Sequence, residues 1–204
     1  MKLSTVSAAV AATALLLAGC SNGEAGEPTS NGETQPTVDV GPRTTTPQVS
    51  APQVTDPIEN LDKYNEDPCA MLTTQQAKKI GYAADIRRPP DQDNGPECEW
   101  RGKDSSNFTI VLLNKQPLGI TGVYQNKSDL GYFEPVDING YPGVFGGAID
   151  NRDNGACALS VGVTDEQVIN VGGRFHLGSP DRDRPCEVMK QAAEMALKTM
   201  SSVR

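Results

Sequence analysis

The chain has 204 residues, with 18 lysines and arginines against 26 aspartates and glutamates, a formal net charge of −8 and one histidine. Its acidic balance shows no basic patch and so argues against nucleic-acid binding. With one histidine and no Cys-x-x-Cys pair, neither a zinc centre nor a thioredoxin-like redox motif has its ligands, and no cofactor is expected.

The chain opens MKLSTVSAAVAATALLLAGC: one base, Lys2, then an uncharged apolar run from Val6 to Ala18. That run is shorter than the roughly 20 residues a spanning helix needs, so it reads as an export signal over residues 1–19. Its ending, Leu17-Ala18-Gly19-Cys20, resembles a bacterial lipobox, in which the cysteine thiol takes a diacylglycerol and the peptide is cut just before it. Cys20 is the expected lipidation site. Residues 20–60 then carry the composition of a tether, since Ser21 to Asn60 hold six prolines, four glycines, ten serines or threonines and no aromatic residue. Such a stretch buries too little apolar surface to offset its ordering entropy. The expected address is the extracytoplasmic face of the cell membrane, with lipid alone making the attachment.

Residues 61–204 have the length of one domain. In DPCAMLTTQQAKKIGY, Asp67 and Pro68 suit a first helical turn around Cys69, and Thr73 with Gln76 has capping-box spacing before a helix that Gly81 ends. ECEWR alternates, with Cys98 and Trp100 on one face, and NFTIVLLN suits a central strand. PLGITGVYQNKSDLGYF has helical spacing broken by glycines and reads as a short helix or loop. Four strands in a meander follow, YFEPVDI, GVFGGAI, ACALSVGV and QVINVGG, joined at Asn139-Gly140, Asp153-Asn154-Gly155 and Thr164-Asp165-Glu166. Cys186, Met189, Ala193, Ala196 and Met200 recur at three- and four-residue spacing, which predicts a C-terminal helix with a buried face. The expected fold is α+β, an antiparallel sheet of five or six strands with N- and C-terminal helices packed on one face.

Four cysteines beyond Cys20 in an exported chain predict two disulfides. Of the three possible pairings, the equal 29-position separations favour Cys69–Cys98 and Cys157–Cys186.

The series DPCAML, CEW, GYPGV, CALSVGV and RPCEVMKQAAEMA resembles a family of exported actinobacterial lipoproteins classed as a domain of unknown function. The resemblance covers nearly all of the chain from Asp67 onward, together with the lipobox and tether. It implies an envelope-anchored domain with paired cysteines and supplies no catalytic residues.

Reactive constellations are sparse. GGRFHLGSPDRD gathers His176, Ser179 and Asp181, but lacks the Gly-x-Ser-x-Gly elbow, so His176 reads as an exposed loop histidine. DNRDNG, Asp150 to Gly155, places Arg152 where a calcium loop needs a carboxylate and reads as a hairpin turn. The leading expectation is a non-catalytic, membrane-anchored module that binds an envelope lipid, glycolipid, wall component or partner protein. A structural or sensory accessory docking onto another envelope protein comes second, and a hydrolase using Ser179 and His176 is the remote alternative.

Overall fold

The computed structural model describes residues 49–202 apart from 92–94 and 115. The leader, Cys20 and most of the tether therefore lie outside the described residues. Within them the fold is α+β, built on one antiparallel sheet. Its strands are β1 (Tyr82–Asp91), β2 (Gly95–Gly102), β3 (Asn107–Leu113), β4 (Tyr132–Ile138), β5 (Tyr141–Gly147), β6 (Ala156–Gly162) and β7 (Val168–Arg174). They lie in the order β1-β2-β3-β7-β6-β5-β4.

Seven strands replace the expected five or six. The additional strand is β1, YAADIRRPPD, whose prolines and charges hide it from a propensity reading. It is an edge strand, where proline is tolerated, and its register with β2 breaks between Arg88 and Asp91, around Pro89 and Pro90. The meander from β4 to β7 is as predicted, and β7 then pairs with β3 to close it onto the β1–β3 hairpins.

Among the described residues, α1 (Asp62–Glu66) and α2 (Thr74–Lys79) precede the sheet, α3 (Gly119–Gln125) links β3 to β4 and α4 (Pro185–Ser201) follows β7, with 3₁₀ turns at Pro68–Met71, Lys127–Asp129 and Arg152–Asn154. The capping box of α2 forms as predicted between Thr73 and Gln76. Asp67 occupies the cap position of the 3₁₀ turn but makes no side-chain capping bond. The stripe of α4 is buried through Val188, Met189, Ala192, Ala193, Ala196, Leu197 and Met200, in the same core as Phe108, Ile110, Leu159 and Val171. Trp100 stacks on Phe108 with ring centroids 5.3 Å apart in the same core. The N-terminal turns and α4 thus share one face.

The segment with two glycines forms α3, on the opposite face. Strand residues alternate faces, so Val168 contributes to a small cluster with Ile120 and Val144 while its neighbour Ile169 belongs to the main core. Only part of this second face is covered.

The packed chain begins before Leu61, the boundary that composition suggested. Val54 and Ile58 are 8% and 4% exposed and belong to the main core, and the Ile58 N–H donates to the Val163 carbonyl at 2.9 Å. Ala51 packs on the small cluster. This strap docks through two large side chains spaced four apart, a pattern too sparse to change the local composition. No helix among the described residues is long and apolar enough to cross a membrane.

Candidate functional site

The two disulfides are Cys69–Cys98 and Cys157–Cys186, with Cα separations of 5.0 and 5.2 Å. The first joins the 3₁₀ turn before α2 to β2; the second joins the first residues of β6 to the first turn of α4. Each proline-cysteine helix start is therefore a clip onto the sheet, and neither thiol is free to act as a nucleophile.

His176 and Ser179 do not come together as a catalytic pair. His176 is exposed, whereas Ser179 is buried, and its hydroxyl accepts the Asp181 N–H at 3.4 Å and engages the Asp104 carboxylate. Around it Asp104 accepts the Ser106 N–H at 3.0 Å, Ser106 Oγ accepts the His176 N–H at 3.1 Å, and the Tyr82 hydroxyl donates to Asp181 Oδ2 at 3.0 Å. Arg184 also bonds Asp181, at 3.0 Å. Burial, and then the Asp181 charge, push the Tyr82 phenol far up, so it remains a donor. These bonds pin the loop between β7 and α4 to β1 and the β2–β3 turn.

The Ser179 hydroxyl is the main cause that holds the Asp104 carboxyl below its ordinary value. A depressed carboxylate contributes stability that is fully present above its unfolded pKa of about 3.8 and is lost as the pH falls through the lower folded value. Ser179→Ala should therefore flatten the acid limb of the stability curve. Urea melts at about pH 6 and about pH 3 check this, with a smaller difference between the two in the variant.

A cleft with a different character opens where β5 and β6 part. Gly143, Val144 and Phe145 pair with Val161, Ser160 and Leu159, and there the ladder ends. Beyond it the Tyr132 side chain enters the gap, and its hydroxyl accepts the Ala158 N–H at 3.1 Å. Gly147 leaves room for this ring, because a Cβ there would stand 3.1 Å from it. Arg152 lies over the other side of the ring, 4.4 Å from its centroid, and is held by Asp150 at 2.6 and 2.8 Å and by Glu134 at 2.7 Å. The bond from Arg152 lowers the Asp150 carboxyl to about 2. The DNRDNG turn thus spends its first carboxylate on its own arginine, and Gly155 takes the left-handed conformation that lets β6 begin.

The gap forms a cleft of about 310 Å³ lined by Tyr132, Ile149, Asn151, Ala158, Gly172 and Arg174, among others. Its floor holds an unexplained glycine. Gly173 is required by packing, since a Cβ there would meet the Asn107 carbonyl and Met189 at 2.9 Å. Gly172 has no such neighbour: the nearest atom would be 3.6 Å away, and its φ is not positive. Among the described glycines it alone combines a φ that is not positive with no atom within 3.4 Å of the added Cβ. A mid-strand glycine costs roughly 0.5–1 kcal/mol relative to alanine, and its recurrent use is close approach of a ligand or another chain.

A second cleft, of about 340 Å³, lies beside the strap between Pro52, Tyr124, Pro135 and Pro142. Tyr124 packs edge-on against Phe133 at 5.0 Å. This cleft is more apolar and has no cation in its lining.

Sequence reasoning found the clips and the polar loop but missed both clefts. The one signal available for the first was the density of glycine and alanine in FGGAI, ACALS and VGGR. Comparisons with curated proteins and with solved structures find no match. The family model described as a protein of unknown function, DUF3558, matches residues 15–199, nearly the whole described domain, and the chain belongs to that family.

Proposed function

We propose that this chain is a lipid-anchored module of the bacterial cell envelope, an exported actinobacterial lipoprotein that binds its ligand outside the membrane without transforming it. Leu17-Ala18-Gly19-Cys20 supports the anchor, and two disulfides suit an oxidising compartment. The observation that carries the binding role is the cleft at Gly172, where a strand forgoes a side chain that both its backbone and its surroundings would accept. The ligand class is an envelope lipid, glycolipid or wall component.

A second reading, docking onto another envelope protein, is favoured by Ile149 and Leu177, which are 71% and 85% exposed. Their loops are joined by the bond from Arg182 to the Asn154 carbonyl, at 3.0 Å.

Cys20→Ser tests the anchor. The variant should leave the membrane fraction and lack acyl mass by intact mass spectrometry; unchanged partitioning would overturn the anchoring. Native mass spectrometry of protein drawn from its own envelope tests the binding role. A retained small molecule is the expected result, and repeated absence of any adduct would oppose it.

A further inference from the structure

We infer that the cleft at Gly172 takes a small oxyanion-bearing ligand, whose carboxylate or phosphate pairs with Arg174 while its body lies on Gly172 and Ala158. This rests on the binding-module reading and narrows it to a ligand chemistry.

Three polar groups of the lining have hydrogen-bonding capacity left over. Arg174 is exposed, with no acid or other acceptor on its guanidinium among the described residues. The Asn151 side chain is likewise unbonded. Tyr132, nine-tenths buried, accepts one hydrogen bond and has no acceptor for its own hydroxyl hydrogen, and burial raises its phenol so that the proton stays on. All three groups can donate.

No carboxylate lines the cleft, and Arg174 is the one charged side chain in its lining. Asp150 and Glu134 are both engaged by Arg152, and Asp153 is exposed and outside the lining. The cleft is left with one uncommitted cation, and a guanidinium matches carboxylate and phosphate with paired hydrogen bonds. Its floor completes the argument, because Gly172 and Ala158 face each other across the β6–β7 ladder with little above the backbone, so a flat body can lie close. At about 310 Å³ the space suits a ligand of monosaccharide or amino-acid size.

Calorimetric titration of the purified protein with inorganic phosphate, and separately with glucuronate, tests this, each against chloride at equal ionic strength. At least one anion should bind. Phosphate alone would place the source in phosphate esters, and glucuronate alone in acidic sugars. Gly172→Val should fill the floor and Arg174→Gln remove the cation, each weakening binding by about tenfold or more, with both variants folded and Gly172→Val melting no lower than the parent. Undiminished affinity in Arg174→Gln, or no response to either anion, would overturn the inference. If neither anion binds but an envelope molecule is still retained in native spectra, only the oxyanion chemistry fails; if nothing is retained, the binding role fails with it.

Discussion

Cys69→Ala combined with Cys98→Ala should lower the unfolding free energy by about 3–4 kcal/mol, the loop-closure value for cysteines 29 positions apart. Domains of this size are typically stable by about 5–15 kcal/mol, so one clip is a large fraction of the whole. The pair is replaced together so that no lone thiol is left to exchange. Cys98 is fully buried, so the alanine pair also deletes sulfur from the core, and the cavity it leaves adds to the loss from the freed chain. Denaturant melts with the Cys157–Cys186 bond intact measure it. A loss under about 1 kcal/mol would mean that the segment before α2 is held by packing alone.

Ile58→Ala should cost about 2–4 kcal/mol, as for other buried isoleucines cut back to alanine. The number decides between two descriptions of residues 49–60. In a tether the substitution costs nothing, because an exposed aliphatic loses no burial; in a strap it opens a cavity among core residues and loosens the bond between Ile58 and Val163. A chain begun at Leu61 would lose Val54 and Ile58 together and should be less stable than one begun at Val49. Equal melts for the two would return the boundary to Leu61.

The residues that were legible in the sequence carry local periodicity. α4 declares itself by a stripe at three- and four-residue spacing, α2 by a capping box, and the β4–β5 turn by Asn139-Gly140, where both residues take positive φ. Equal cysteine spacing suggested a pairing because each clip joins a helix start to a nearby strand. Other features depend on partners distant in sequence. β1 is a strand because β2 supplies its neighbour, and its prolines are tolerated because no strand among the described residues pairs on its other side. Val54 and Ile58 are buried because the core and the Val163 carbonyl are there to receive them. The cleft needs Tyr132 from β4 to take the place of a missing ladder contact on β6, and the oddity of Gly172 appears only when the space around it is measured.

Ser179 shows how a sequence cluster can mislead. A serine, a histidine and an aspartate within a few positions suggest a hydrolase, but along one loop they point different ways. Here the serine is buried and its hydroxyl engages Asp104 and the Asp181 N–H, whereas the histidine ring stays outside and only its backbone takes part, its N–H bonded to Ser106 Oγ and its carbonyl to the Ser179 N–H.

The cleft between β5 and β6 is the proposed place where this domain meets a ligand. Hydrogen exchange, with and without the small-molecule fraction of an envelope extract, tests that most directly. It should show protection across residues 147–158 and 172–174 in the parent protein and none there in Gly172→Val. Protection confined to the cleft beside Tyr124, or a pattern unchanged by Gly172→Val, would contradict it.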